Sequence, residues 1–338
     1  MNIALIGLGM VSTTHVAAIN NSDKNLKLYG VLSRNSEKTA QFAAENVTYA
    51  YNSLEKITQD EDIGFVIVAT PPDARLGFVE TLAAAGKPIL MEKPIERNLK
   101  AATYIVEICE KASVPLGLVL QHRAREASLA LKSVIDAGQL GEICTVDLRV
   151  PWWREQSYYD APGRGTYVRD SGGVMITQAI HTLDLVIWLL GPIISVQAMM
   201  KRTLLHLLEA EDWAGALFEM HSGALGSLLA TTSSYPGSAE TITIQGSKGS
   251  AHLQSGKLNL MYMDGRRETF GALSSTGGGS NPMVFTHEWH QFIIEDFGRA
   301  ITNGIPPLAT ARSALRSHAV IDAMKTASQS AMLTKVSL

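Results

Sequence analysis

The stretch Met1-Asn2-Ile3-Ala4-Leu5-Ile6-Gly7-Leu8-Gly9-Met10-Val11-Ser12-Thr13-Thr14-His15 decides the fold. Residues 2–6 are a short apolar run that reads as a buried strand. Gly7 and Gly9 follow directly, Ser12 stands where the third small residue of G-x-G-x-x-G/A belongs, and residues 13–19 are helix-compatible. A strand, a glycine turn and a helix in that order can hold a dinucleotide pyrophosphate. Gly7 permits the tight turn, Gly9 lets the backbone approach phosphate oxygens without a Cβ in the way, and the N–H groups that open the helix face the anion. Gly7, Gly9, Met10 and Val11 are therefore candidate cofactor-binding residues. Two glycines after a strand also suit a plain turn, so the reading leans on the rest of the half-chain.

Outward from this stretch, residues 27–33, 63–70, 88–91 and 115–120 read as further strands, and residues 37–46, 73–85 and 99–112 as helices. Strands alternating with helices of this length imply an α/β domain with a parallel sheet covered on both faces. Thr70-Pro71-Pro72 ends the central strand at the carboxyl edge, where ligands bind in open α/β sheets, so Thr70 and Pro71 join the candidate cofactor residues. The second strand ends in Ser33-Arg34. A site selective for NAD usually places Asp or Glu there to bind the ribose 2′-hydroxyl. Ser33 and Arg34 suit a 2′-phosphate instead, which favours NADP over NAD, although Glu37 lies close enough in sequence to work against it.

The parallel pattern stops near Leu120. Gln121-His122-Arg123 follows, then a helical stretch at 126–137 and an alternating strand at 143–150. Beyond residue 195 come strand-like runs at 214–220, 226–232, 241–245, 250–253 and 257–263 with glycine turns, implying a mostly antiparallel open sheet in a C-terminal α+β domain. A loop-like segment at 274–280 and a closing helix pair at 287–302 and 310–328 complete the chain. Two domains are expected in 338 residues, at 1–121 for cofactor and 122–338 for substrate and oligomerisation. The formal charge of −3 gives no electrostatic case for nucleic acid or an anionic membrane surface. The most apolar region, 186–200, is interrupted by Gly191, Pro192, Ser195 and Gln197, so no membrane span is read. The chain enters a strand at once, without the pattern of a signal peptide, and Cys109 and Cys144 have neither metal-ligand nor disulfide-framework spacing. A reducing cytoplasm is the expected location.

Two constellations could carry chemistry. Glu92-Lys93-Pro94 follows a predicted strand at the same sheet edge as the glycine loop, and Pro94 turns Lys93 away from helical geometry. A lysine there would stand beside a nicotinamide ring; a solvated lysine before a proline turn is the alternative. The second is Gly172-Gly173 followed by a helix to about Leu190, on which Thr177, His181, Asp184 and Trp188 share one face at α-helical spacing with Gln178 at its margin. An imidazole with hydrogen-bonding neighbours suits proton transfer near neutral pH. His181 could equally be a satisfied buried histidine, or with Asp184 a metal ligand. Two ligands do not close a site, and no metal is expected. His287-Glu288-Trp289-His290 is not H-E-x-x-H, has no third ligand in evidence, and reads as a helix surface or an interface rather than a zinc site. The stretch Trp152-Trp153-Arg154, Tyr158-Tyr159 and Arg164-Gly165-Thr166 could line a sugar pocket, with Trp153 stacking and Arg164 pairing with an anion, or could be ordinary core.

Taken in order, G-L-G-M-V-S at 7–12, Glu92-Lys93-Pro94, Gly172-Gly173 with Gln178-Ala179-Ile180-His181-Thr182-Leu183-Asp184, and the closing helix with Asp296-Phe297 and Pro306-Pro307 resemble the Gfo/Idh/MocA family of NAD(P)-dependent oxidoreductases. The resemblance spans nearly the whole chain. It implies a Rossmann domain followed by an α+β domain whose open sheet often mediates homodimers or homotetramers. It further implies that Lys93 and His181 flank the reacting carbinol, that Glu92 packs at the nicotinamide end, and that Arg123, Thr177, Gln178 and Asp184 orient hydroxyls of a sugar, sugar acid, polyol or nucleotide-linked sugar. A cofactor-binding sensor or regulator without turnover is the competing class. Three positions depart from the family pattern: Thr177 where many members carry Asp or Asn, Arg75 where a histidine is common, and Ser12 for Gly or Ala.

Overall fold

The computed structural model describes residues 1–275, 277–279 and 285–338. Of the loop expected at 274–280, positions 276 and 280 lie outside the described residues. The chain divides into two compact units, Met1–Gln121 with Thr286–Ala314, and His122–Phe285 with Leu315–Leu338.

The first unit alternates strand and helix: β1 (Asn2–Ile6), α1 (Ser12–Asn20), β2 (Lys27–Leu32), α2 (Ser36–Glu45), β3 (Tyr49–Ala50), α3 (Leu54–Gln59), β4 (Ile63–Val68), α4 (Leu76–Ala84), β5 (Ile89–Glu92), α5 (Leu99–Lys111) and β6 (Leu116–Val119). The six strands are all parallel, in the order β3-β2-β1-β4-β5-β6. This is the Rossmann arrangement, and the strand order reverses between β1 and β4, where such sheets bind ligands at their carboxyl ends. The sequence of β4, I-G-F-V-I-V, is apolar without alternation because both faces are covered: Phe65, Val66, Ile67 and Val68 have no solvent exposure. Each such side chain is worth about 1.5–3 kcal/mol relative to exposure. Asn35, Ser53 and Asn98 cap α2, α3 and α5 by accepting from Lys38, Lys56 and Ala101 N–H groups.

Residues 286–314 complete this unit with α9 (Glu288–Asn303). His290, Ile293, Ile294 and Phe297 recur at helical spacing and are buried; the helix packs on α1 and β6, and Phe297 meets Phe65 edge-on at 5.3 Å. The Leu118 N–H donates to Ala309 O at 2.9 Å. A division of the chain at 121/122 places this segment with the second unit; its apolar face is buried on the first.

The second unit holds α6 (Glu126–Asp136), β7 (Ile143–Pro151), α7 (Gln156–Tyr159), α8 (Ile180–Leu190), β8 (Ile193–Lys201), β9 (Trp213–Met220), β10 (Leu225–Thr231), β11 (Thr241–Gly246), β12 (Gly249–Gln254), β13 (Lys257–Tyr262), β14 (Arg267–Gly271), the part of α10 (Ala311–Ser330) from Leu315 onward, and β15 (Thr334–Lys335). Its nine-stranded sheet runs β14-β13-β12-β11-β7-β10-β9-β8-β15. Only β7 with β10 is parallel among these pairings. Strands alternate, as in T-I-T-I-Q-G of β11, where Ile242 and Ile244 point into the core. That core is closed by Leu183, Val186 and Ile187 of α8 and by Val320, Ile321 and Met324 of α10. The opposite face is open, with Met199, Leu217, Leu225 and Met261 each more than half exposed. β8 lies across the run that reads as interrupted in the sequence: Ser195 and Gln197 are ordinary strand residues, of which Gln197 lies on the open face.

Candidate active site

The cofactor half of the site is built at the carboxyl edge of the first sheet. Gly7 follows β1 with φ +98°, and a Cβ there would come within 2.8 Å of the Ala69 carbonyl carbon and the Thr70 nitrogen, both backbone atoms that cannot give way. Gly9 is exposed, with nothing within 4 Å of where a Cβ would stand. α1 opens at Val11 without a side-chain cap; the Ser12 N–H donates to Gly9 O at 3.2 Å, so it is the N–H groups of Thr13 and Thr14 that a ligand could meet. Ser12 donates to Gly9 O at 2.6 Å and is buried, so the hydroxyl in place of a third glycine is absorbed by the turn itself. Thr70 Oγ1 is buried without a hydrogen-bond partner among the described residues. An open glycine, an uncapped helix start and an orphaned hydroxyl fit a dinucleotide. Met10 is half exposed at the loop tip. At the end of β2 the Ser33 hydroxyl is taken up by Asn35 O (3.0 Å) and Thr39 Oγ1 (2.8 Å), whereas Arg34 is exposed. The extra hydrogen bond expected from Ser33 to a 2′-phosphate is therefore already spent inside the turn.

At the end of β5, Lys93 is half-buried and its neighbours are not: Glu92 and Pro94 are buried. The Glu92 carboxylate turns inward. Its Oε1 accepts from His15 Nε2 at 2.9 Å, its Oε2 accepts from the Lys93 N–H at 3.2 Å, and His290 Nε2 lies 3.8 Å from Oε1. Burial pushes this carboxyl up, but the His15 hydrogen bond and the charges of His15, His290 and Lys93 outweigh it and hold it down at about 2. Burial drives His290 down to about 3, against the pull of Glu92. Thus His290 of the His287-Glu288-Trp289-His290 stretch belongs to a buried cluster, while His287 accepts from Asn21 Nδ2 at 3.0 Å. The His287-Glu288-Trp289-His290 reading as helix surface is corrected for His290, which is buried, and His15 carries no signal in the sequence beyond a histidine one turn into the glycine-loop helix.

The second unit holds the acid/base candidate. Gly172 has φ +140°, and a Cβ on Gly173 would overlap the Glu211 backbone. Glu211 closes the turn by accepting from the Gly173 and Met175 N–H groups at 3.2 Å each. The helix expected from here to Leu190 is not α throughout: Met175–Ala179 is a π segment, so α-helical spacing does not apply to Thr177 and Gln178. Thr177 donates to Gly173 O at 2.6 Å and to Gln178 Oε1, and Gln178 Nε2 lies 3.5 Å from the Tyr158 hydroxyl. Arg164 donates to the same hydroxyl at 3.1 Å, stacks over the Tyr158 ring and lies 3.8 Å from Asp170. Trp153 meets Tyr235 edge-on at 5.4 Å.

His181 is buried at the start of α8, and its ring stacks on His122 with centroids 4.8 Å apart. His122 was passed over in the sequence as part of Gln121-His122-Arg123. Asp184, one turn on, accepts from Arg123 Nε and Nη2 at 2.7 Å each, with the two side chains 1% and 2% exposed. Arg123 and Asp184, both expected to orient substrate hydroxyls, are paired with each other here: the guanidinium fork and the carboxylate meet out of solvent. Among the described residues no group of three or more His, Cys, Asp and Glu is arranged to hold a metal.

Residues 1–119 match the NAD-binding Rossmann fold of the oxidoreductase family, and residues 128–252 match the GFO/IDH/MocA C-terminal domain. The chain is 27% identical over 310 residues to D-apiose dehydrogenase of Rhizobium rhizogenes strain K84, covering 85% of this chain and 81% of that protein. It is 24% identical over 320 residues to myo-inositol 2-dehydrogenase of Thermotoga maritima, covering 91% and 90%. The WlbA dehydrogenase of Bordetella pertussis, solved with NADH and UDP-GlcNAcA, shares the fold with a TM-score of 0.84 and 27% identity, over 100% of this chain and 99% of that one. The two family matches fall one on each unit, in the order in which the glycine loop, Glu92-Lys93-Pro94 and the Gly172–Asp184 constellation occur, and the chain belongs to the Gfo/Idh/MocA family of oxidoreductases.

Proposed function

We propose that the protein is an NAD(P)-dependent dehydrogenase or reductase acting on a carbinol or carbonyl of a sugar, sugar acid, polyol or nucleotide-linked sugar. The observation that carries this is the half-buried Lys93 at the carboxyl end of β5, in a Rossmann sheet whose glycine-loop helix is uncapped. Relatives that act on apiose and inositol, and a neighbour holding NADH with a nucleotide-linked sugar acid, support the substrate class. The first unit binds the cofactor through Gly7, Gly9, Met10, Val11, Thr70 and Pro71; the second binds the sugar. The nicotinamide, when bound, supplies the hydride donor or acceptor. Lys93 donates a hydrogen bond to the reacting oxygen and stabilises its developing negative charge. His181 takes or gives that oxygen's proton. Gln178, Arg164 and Trp153 hold the sugar, and Thr177, with its hydroxyl bonded to Gly173 O, serves the helix rather than proton transfer.

Purified full-length protein is assayed for nicotinamide oxidation or reduction against a sugar and polyol panel. His181→Ala is expected to lower turnover roughly 10²–10⁴-fold and to remove a limb of the pH–rate profile. Lys93→Ala is expected to cost roughly 10²–10³-fold with cofactor affinity within about tenfold. Near-normal turnover in either variant overturns that residue's role, and cofactor binding without turnover on any sugar favours the regulator.

The preferred cofactor in this proposal is NADP(H). No carboxylate ends β2, and exposed Arg34, without an ion-pair partner among the described residues, can pair with a 2′-phosphate. Arg34→Ala is expected to weaken NADP(H) about tenfold while leaving NAD(H) unchanged, the loss of one charge-assisted contact; tighter NAD(H) binding by the wild type refutes the preference. The open sheet face supports a homodimer or homotetramer, which Leu217→Glu should dissociate in sedimentation; a monomeric wild type ends that reading. No helix of the described residues is long and apolar enough to cross a membrane, and both cysteines are free. A cytoplasmic location completes the proposal, checked by fractionating expressing cells.

A further inference from the structure

Arg75 closes the short 3₁₀ turn Pro72–Ala74 that follows the Thr70-Pro71 edge of the first sheet. It is 2% exposed. Its Nε and Nη2 donate to Thr70 O at 3.0 and 2.7 Å, and its Nη1 donates to both Glu92 O and Pro94 O. One rigid planar cation thus joins the loop after β4 to the carbonyls on both sides of Lys93. On the other side of the same turn, the Glu92 carboxylate is fixed by His15 and accepts from the Lys93 N–H. The Glu92–Lys93 peptide is therefore held from two directions, by Arg75 at its carbonyl and by the Glu92 carboxylate at its N–H, and Arg75 also holds the carbonyl of Pro94, while Lys93 as a residue is half-buried.

We propose that Arg75 is a positioning residue for Lys93, setting the lysine's backbone against the Thr70 loop that lines the cofactor half of the site. The inference rests on the role given to Lys93 above. Burial pulls the Arg75 guanidinium down to about 10, with Glu92, Glu96 and Asp73 opposing that pull, so it stays charged through neutral pH. Its bonds to three carbonyls are charge-assisted and their geometry is that of the guanidinium fork, which a lysine ammonium cannot reproduce in full. A displacement of about 1 Å in a reacting group costs on the order of 10²-fold.

The test uses the full-length protein as wild type, Arg75→Met, Arg75→Lys, Lys93→Ala and Arg75→Met with Lys93→Ala. Turnover, sugar KM, cofactor Kd by nicotinamide fluorescence and thermal unfolding are measured for each. Arg75→Met is expected to lower kcat roughly 10–100-fold, with KM and cofactor Kd within about threefold, and to add less than about threefold once Lys93 is alanine. Arg75→Lys is expected to recover part of the kcat loss. The same loss from Arg75→Met with and without Lys93, or a loss seen in cofactor Kd instead of kcat, overturns the inference while leaving the Lys93 reading intact. Near-normal turnover of Lys93→Ala overturns both. If Arg75→Met does not fold, Arg75→Lys decides: wild-type kcat refutes the inference, and a kcat reduced roughly 3–10-fold at unchanged cofactor Kd supports it.

Discussion

Glu92 in the first unit and Asp184 in the second are both buried carboxylates beside a candidate functional residue, one position before Lys93 and three after His181. Their partners separate them. Asp184 faces a guanidinium fork with two bonds of 2.7 Å, and Ser317 adds a weak third at 3.4 Å. Among the described residues no lysine or arginine lies at hydrogen-bond distance of the Glu92 carboxylate: it accepts from His15 and from a backbone N–H, with His290 beyond. Asp184 therefore pins α8 to the segment at 122–124, whereas Glu92 shapes a turn through an imidazole and a backbone N–H. Two acids that look alike in a motif do different work, and the identity of the partner, not burial, tells them apart.

The comparison breaks most visibly if Asp184 can be removed cheaply. Asp184→Ala removes the carboxylate from the buried Arg123 guanidinium and is expected to cost about 3–5 kcal/mol in urea unfolding. A loss under about 1 kcal/mol, the range of a solvated pair, accompanied by a raised sugar KM would return Asp184 to the substrate. Glu92→Gln strands no permanent cation and keeps the shape, so about 1–3 kcal/mol is expected, the cost of weakened buried hydrogen bonds. If it destabilises as much as Asp184→Ala, the two acids are equivalent and the distinction fails.

The acid side of the stability curve sharpens the same contrast. His290 is held down from 6.5 to about 3, so below pH 6.5 the unfolded chain binds a proton that the folded chain refuses. Stability is then lost as pH falls, by at most about 1.4 kcal/mol per pH unit from this group. Glu92, held down from 4.5 to about 2, gives its contribution above 4.5 and loses it as pH falls toward 2. His290→Phe should flatten the loss between pH 6.5 and the onset of the Glu92 window, read from urea midpoints at successive pH values. An unchanged slope in the variant would show that His290 is not the group responsible.

Much of the fold is legible in local sequence. The runs that became β1 and β4 are apolar without a break because a parallel sheet is covered on both faces, and the alternation of β11 and β13 marks a sheet open on one. β8 was hidden because its apolar run is interrupted by Ser195, which is buried, and by Gln197 on the wet face. The helix at 288–303 was recognisable by its spacing, but an amphipathic pattern announces a buried face and says nothing of what covers it; here that is α1 and β6. Lys93 and His181 could be picked out as candidates from Glu92-Lys93-Pro94 and from the glycine pair with its histidine. His122, which stacks on His181, and Glu211, which ties down the turn before the π segment, could not, since each lies tens of residues from its partner.

What the sequence determined by itself is what local rules enforce: a glycine where φ must be positive at 7, a helix start without a cap at 11, a lysine turned by proline at the end of a strand, and the periodicities of two kinds of sheet. Only the tertiary structure decided who meets whom. Arg75 reaches Thr70 in its own turn but also the carbonyls of Glu92 and Pro94 on either side of Lys93, Arg123 pairs with Asp184, and His290 joins His15 around Glu92 across most of the chain. The physical reason is that a buried charge is costly unless paired, and the partner that satisfies it is chosen by proximity in the fold, a quantity that spacing along the chain does not encode.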